Sequence, residues 1–138
     1  MDRILFSNAF SLALHSLVML AESSGKTSST AEIAAEIGVS SHHLSKVHTR
    51  LVRHGLLRSI RGPGGGLQLS LSPHEITLMD IYSVIEGPFP LKTCMLGKRV
   101  CERISCIFGD FFRDYNDRLR NYFEQTYLSD LIEKGVSD

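Results

Sequence analysis

Ser59-Ile60-Arg61-Gly62-Pro63-Gly64-Gly65-Gly66 links two short apolar runs, residues 56–60 and 67–71. One proline and four glycines in so few positions permit a tight, exposed turn with positive φ angles, so the two runs are predicted to be the strands of a hairpin. Just upstream, residues 30–37, Gly38 and residues 40–53 have the pattern of two helices joined by a short turn. Helix, turn, helix and basic hairpin is the order of a winged helix-turn-helix. The predicted fold class is therefore mainly α, a winged helix-turn-helix with a two-stranded wing, plus a long C-terminal dimerisation helix. Double-stranded DNA is the partner such an arrangement predicts.

Charge supports that partner through its distribution, not its total. The 138 residues are 43% hydrophobic and carry no net charge, which fits one domain with a real core. Residues 1–72 hold 7 Lys and Arg against 4 Asp and Glu, whereas residues 73–138 hold 8 against 11. Between residues 41 and 61 stand Lys46, Arg50, Arg53, Arg58 and Arg61, four histidines and no acid. A solvated helix face ordinarily mixes both signs, and one-sided charge of this kind suits a phosphate backbone.

No stretch approaches the ~20 uninterrupted apolar residues of a membrane span. Residues 4–21 are apolar, but Asp2 offsets Arg3, Asn8 and His15 interrupt the run, and no small-residue cleavage site follows, so a secretory signal is not expected. Three cysteines, all between residues 94 and 106, are odd in number and clustered, unlike an extracellular disulfide framework. A reducing cytoplasm is the expected location.

Along the chain, Ser7 is predicted to cap a first helix reaching about Glu22, with Phe10, Leu14, Leu17, Leu20 and Ala21 on one face. Ser29-Thr30-Ala31-Glu32 has capping-box spacing, and Ile33, Ala34 and Ile37 form the inner side of the next helix. Ser40 opens the third helix, in which Leu44, Val47 and Leu51 face inward. Thr77 and Asp80 begin another helix that Gly87-Pro88 ends. Residues 88–106 lack periodicity. A long amphipathic helix over about 107–127 follows, with Ile104, Phe108, Phe111, Tyr115, Leu119 and Tyr122 recurring at three- and four-residue steps, and a last turn or two over 129–134. Against a small domain so long an aromatic stripe is most simply buried on the same helix of a second copy, hence a homodimer, the alternative being that it covers the winged domain of its own chain. The expected organisation is a DNA-binding domain at 1–87, a cysteine loop at 88–106, and a dimerisation helix with tail at 107–138.

A recognition helix places the outward side chains of its N-terminal half against base edges. That nominates Ser41, His42, His43, Ser45 and Lys46, with Thr49 and Arg50 nearer the phosphates. In the wing, Arg61 is predicted to enter the adjacent minor groove. Gly62, Gly64 and Gly65 complete the DNA-binding set, on the expectation that glycines 64–66 leave amides free for phosphates. The Gly-Lys-Ser/Thr of a nucleotide-binding P-loop is missing from this segment, and the chain has no catalytic constellation, so an enzyme is not expected.

Cys94, Cys101 and Cys106 stand at spacings of six and four residues, among Lys92, Lys98, Arg99 and Arg103, which favour thiolates. Thiolates are ligands of iron–sulfur clusters and zinc, but this segment has neither a close Cys pair nor a nearby histidine for a structural zinc site. Cluster, thiol redox switch and plain reduced cysteines all remain open on spacing alone.

The chain resembles the Rrf-type winged-helix transcription regulators, the family of IscR, NsrR and RirA. The resemblance runs nearly end to end. It is carried by the first helix over 6–20, Ala31-Glu32-Ile33-Ala34, Gly38-Val39-Ser40 leading to Leu44, the run from Gly55 to Gly66, Ile76-Thr77-Leu78, and the three-cysteine loop. It implies a homodimer on a pseudo-palindromic operator, with an iron–sulfur cluster held by Cys94, Cys101 and Cys106 whose state controls DNA binding; the expected regulator is a repressor. It also implies that nitric oxide, redox or iron status is the signal. Some 2Fe–2S members carry a histidine where this chain has Gly109, and nitric-oxide-sensing members carry an acidic residue where it has Asn8. The cofactor implied is a 4Fe–4S cluster in preference to 2Fe–2S, with Asn8 close to an iron that lacks a strong fourth ligand. The alternative is a clusterless DNA-binding regulator under thiol-redox or protein-partner control.

Overall fold

A computed structural model describes residues 6–89 and 109–133. Among them the chain forms α1 (Asn8–Glu22), α2 (Thr30–Ile37), α3 (Ser41–Arg53), a hairpin of β1 (Leu57–Ile60) and β2 (Gly66–Leu69), α4 (Leu78–Glu86), α5 (Gly109–Gln125) and α6 (Leu128–Glu133). This is the mainly helical, winged fold that the sequence predicts.

The helix starts follow from local chemistry. Each start leaves backbone N–H groups without an intrahelical acceptor, and a short hydroxyl side chain supplies one. Ser7 accepts from the Phe10 amide at 3.2 Å, Ser29 from Glu32 at 3.1 Å and Ser40 from His43 at 3.4 Å. Thr77 and Asp80 exchange both bonds of a capping box, at 3.0 and 2.9 Å. Gly38 ends α2 in the left-handed region, its amide on the Ala34 carbonyl at 2.8 Å.

α1 lies at the centre and packs against α2, α3, α4, α6 and β2. Because it is covered on several sides, its inner face centres on Ala13 and Leu17, and the expected Leu14 and Ala21 are only half-buried. Leu17, Leu44, Leu51, Ile81 and Leu128 are inaccessible to solvent. The hairpin is antiparallel, with Leu57 opposite Leu69 and Ile60 opposite Gly66. Its strands are shorter than the apolar runs, since Leu56 turns inward off the end of α3 and Leu71 is exposed.

The α1–α2 connector extends the hairpin by one bridge. Ser28 and Leu67 exchange N–H···O bonds at 3.1 and 2.8 Å. The end of α5 is stitched in by another bridge, Leu78 N–H to Thr126 O at 2.9 Å and Leu128 N–H to Ile76 O at 2.8 Å.

α5 itself divides its aromatic residues between two faces. Phe123 is buried, with ring centroids 5.8 Å from Tyr82 and 5.9 Å from Phe10, and Phe6 and Phe89 complete the cluster. Leu119 packs on the same core, and Arg120 lies 5.5 Å over the Phe89 ring. Phe111 and Tyr122 remain exposed at 66% and 52%. The single stripe expected from sequence is thus corrected: Leu119 belongs to the inner face, with Phe123, which the pattern had passed over. Ile104 and Phe108 lie outside the described residues.

Candidate nucleic-acid interface

The spacing of Leu44, Val47, His48 and Leu51 fixes which side of α3 faces the core. Ser41, His42, His43, Lys46, Thr49 and Arg50 are therefore exposed and Ser45 half-buried, so the nominated residues of α3 share the outer face. Two hydroxyls on that face have committed their protons. Ser45 Oγ donates to the His42 carbonyl and Thr49 Oγ1 to the Ser45 carbonyl, each at 2.8 Å. Both are left to present lone pairs outward, which suits the amino donors of adenine or cytosine.

Arg50 departs from its expected direction. Its Nη1 donates to the Ile85 carbonyl oxygen at 3.0 Å, toward the body of the domain. His48 departs further, being one of the four histidines of the cationic segment and yet only 2% exposed. Its Nε2 lies 2.9 Å from Ser16 Oγ and its Nδ1 2.9 Å from Thr30 Oγ1. Ser16 Oγ already donates to the Leu12 carbonyl at 2.8 Å, so it receives a proton from Nε2, and Nδ1 accepts from Thr30. Burial pushes the His48 pKa down from 6.5 to about 4. This side chain joins α1, α2 and α3 from inside the core.

The wing is held at several points. Gly65 N–H donates to the Gly62 carbonyl at 2.9 Å, so the expectation of free amides is corrected at Gly65. Thr27 Oγ1 donates to the Gly64 carbonyl at 2.6 Å. Arg58 donates through Nε and Nη2 to Gln68 Oε1 at 3.0 and 2.6 Å, and Gln68 Nε2 in turn donates to the Gly25 carbonyl. Arg61 and Gly62 are exposed where the chain leaves β1.

Between α3 and the wing runs a groove of about 380 Å³, lined by Thr30, Ser45, His48, Thr49, Val52, Arg53, Ser59 and Leu67. A second, of about 500 Å³, follows α3 past Ala9 and is lined by His43, Lys46, Arg50 and Arg53 among others. Arg53 and Ser59 were outside the set nominated from sequence. For Arg53 the signal was its place in the cationic run. For Ser59 it was the strand period, which puts it on the same side of β1 as Leu57 and opposite Leu67.

Asn8 is exposed at the first position of α1. Cys94, Cys101 and Cys106 lie outside the described residues. Among the described residues no group of three or more His, Cys, Asp or Glu is arranged to hold a metal ion, and no helix is long and apolar enough to cross a membrane.

Comparison with known proteins adds to this geometry. A family model, Rrf2, described as an iron-dependent transcriptional regulator, matches residues 6–134. A putative HTH-type transcriptional regulator of Aquifex aeolicus is 27% identical over 132 residues, spanning 94% of this chain and 92% of that one. The HTH-type transcriptional regulator IscR of Pectobacterium carotovorum is 31% identical over 110 residues, or 78% of this chain and 66% of that one. Among solved structures, CymR, described as the global cysteine regulator of B. subtilis, superposes with a TM-score of 0.82 at 28% identity, covering 99% of this chain and all of that one.

Proposed function

The chain belongs to the Rrf2 family of transcriptional regulators, and from that premise we propose that it is a homodimeric repressor whose binding to duplex operator DNA depends on an iron–sulfur cluster. The observation that carries the DNA reading is the outer face of α3 with the wing beside it. Lys46, Arg53 and Arg61 are exposed there, and His42, His43, Ser45 and Thr49 offer hydrogen-bonding groups suited to base edges. Of the rest of the set nominated from the sequence, Ser41, Gly62 and Gly64 are exposed on this surface, whereas Arg50 donates to the Ile85 carbonyl and the Gly65 amide is bonded within the turn. Two such surfaces, related by the two-fold axis of a dimer through α5, would suit half-sites of a pseudo-palindrome.

The donor set fits the group. Cys94, Cys101 and Cys106 would offer three soft anionic sulfurs, with four cations nearby in the sequence, enough to hold three irons of a 4Fe–4S cluster whose usual ligand set is four cysteines. Asn8 is an exposed neutral amide, a weak donor, so one iron would remain open to an external ligand. When bound, the cluster supplies a centre reactive toward nitric oxide, oxygen and iron depletion. The chain's own contribution is to hold α3 and the wing in one geometry through the core around His48 and the bridge at Ser28.

A second reading, DNA binding controlled by thiol oxidation or by a protein partner without a cluster, draws support from the likeness to the B. subtilis global cysteine regulator. One preparation separates the two. Protein purified without oxygen is expected to be brown, with visible charge-transfer absorption and several irons per chain. It should select duplexes from a random-sequence pool, and the Cys94→Ala, Cys101→Ala and Cys106→Ala variants should lose both the colour and the response to nitric oxide. A colourless protein with less than one iron per chain would support the second reading. Failure to select any duplex would overturn both.

A further inference from the structure

The bond from Arg50 to α4 sits at an unusual joint. Ile85 is in the last turn of α4, where the Gly87 amide closes the helix on Ser83 and the later carbonyls have no intrahelical donor. The negative end of the α4 dipole favours a cation at that point, and the Arg50 guanidinium supplies it at 3.0 Å. One residue on, Glu86 meets a helix end of the opposite sign. Its Oε1 accepts from the Ser7 backbone N–H at 3.2 Å and from the Ser7 hydroxyl, at the start of α1.

Ser7 meanwhile caps α1 by accepting from the Phe10 amide. Glu86 thus takes the part that an acidic residue three positions into the helix plays in a capping box, but reaches it from another helix. The C-terminus of α4 and the N-terminus of α1 are joined by Glu86, and Arg50 ties α3 to that joint.

We propose that Arg50 is a positioning residue for the DNA-binding surface, holding the tilt of α3 against the α4–α1 joint, and that it does not neutralise a DNA phosphate. The proposal rests on the reading of α3 as the recognition helix. Geometry gives it leverage. Eight residues, or ~12 Å of helix, separate Arg50 from His42, so a tilt of about 5° at Arg50 moves the base-reading end by about 1 Å. Hydrogen bonds to base edges tolerate only about half an ångström, so such a tilt would cost specific contacts. Attraction to phosphates, which needs no such registry, would persist.

The test compares wild type, Arg50→Ala and Glu86→Gln on two probes: a duplex that the wild-type protein itself selects from a random-sequence pool, and a scrambled duplex of the same composition. Affinity is measured across a salt series, and thermal melting confirms that each variant is folded. Arg50→Ala should weaken binding to the selected duplex roughly two- to thirtyfold. It should leave the scrambled duplex and the slope of log affinity against log salt nearly unchanged. Glu86→Gln, which alters the joint without touching α3, should lower the selected-to-scrambled ratio in the same direction. A slope reduced by about 0.9, with equal losses on both probes, would identify a phosphate ligand and overturn the proposal. So would a Glu86→Gln ratio equal to wild type, and that measurement decides the matter if Arg50→Ala does not fold. A wild-type protein that selects no duplex defeats the DNA-binding reading instead.

Discussion

His48 Nε2 lies 2.9 Å from the Ser16 hydroxyl, and both side chains are closed to solvent. The network accommodates a neutral imidazole, and burial lowers the His48 pKa from 6.5 to about 4. The unfolded chain therefore takes up this proton near pH 6.5 and the folded chain only near pH 4. Between those values the unfolded state binds more protons, so acid favours unfolding, with a limiting slope of about 1.4 kcal/mol per pH unit. The contribution is fully present above pH 6.5 and is lost as pH falls toward 4. Thermal melting of wild type and His48→Gln at matched pH values checks this. The variant should be less stable at neutral pH, and its melting temperature should fall less steeply through the acid range.

Gly66 and Gly65 are required for different reasons. A Cβ on Gly66, whose φ is 149°, would meet the Ser28 carbonyl carbon at 2.9 Å and its oxygen at 3.0 Å. A Cβ on Gly65 would overlap the Ile60 carbonyl. Gly66→Ala is expected to cost roughly 1–3 kcal/mol and to break the Ser28–Leu67 bridge. Amide exchange at Ser28 and Leu67 reports this directly, because both amides are protected by that bridge in the native wing. Protection retained in the variant would show that the close approach does not hold the wing.

Arg61 and Lys46 should separate by sequence dependence. Arg61 is exposed at the end of β1, beside a turn fixed by the Gly65–Gly62 and Thr27–Gly64 bonds, so its backbone is set before DNA arrives. Arg61→Ala should cost roughly 1–3 kcal/mol on a selected duplex, with the larger loss where A·T pairs narrow the minor groove beside the half-site. Lys46→Ala should weaken binding where α3 enters the major groove, independently of those flanking pairs. Fluorescence anisotropy on duplexes differing only in the flanks distinguishes the two. Equal losses for Arg61→Ala on every flank would remove it from the minor groove.

What the sequence carried was the information local to a few residues. Ser7, Ser29, Ser40 and the Thr77–Asp80 pair each act over three positions, and every one caps the helix expected of it. The glycine turn acts over similar distances. What it did not carry depends on partners remote in the chain. His48 belongs to the inner face of α3, yet the inward set expected from sequence was Leu44, Val47 and Leu51 alone, because the partners that satisfy its ring, Ser16 and Thr30, are remote in the chain. Arg50 turns inward because an unpaired carbonyl waits at Ile85, thirty-five residues on. Phe123 is chosen over Tyr122 by Phe6, Phe10, Tyr82 and Phe89, which come from three other segments.

That choice supplies the last prediction, because one helix now has two faces with different expected roles. Phe123 is 4% exposed within the aromatic cluster, so Phe123→Ala should destabilise the fold by roughly 3–5 kcal/mol, the range for deleting a buried aromatic ring. Phe111 and Tyr122 are exposed and stabilise little within one chain. If α5 pairs with α5 of a second copy, Phe111→Glu and Tyr122→Glu place charges in an apolar contact and should weaken dimerisation by at least about tenfold, since an unpaired buried charge costs well over 1.4 kcal/mol. Both variants should keep the wild-type circular dichroism spectrum. Sedimentation velocity across a concentration series reads the outcome. Phe111→Glu and Tyr122→Glu that sediment as wild type would place the dimer contact elsewhere, whereas folded monomers with reduced affinity for a two-half-site duplex and unchanged affinity for a single half-site would locate it on this face.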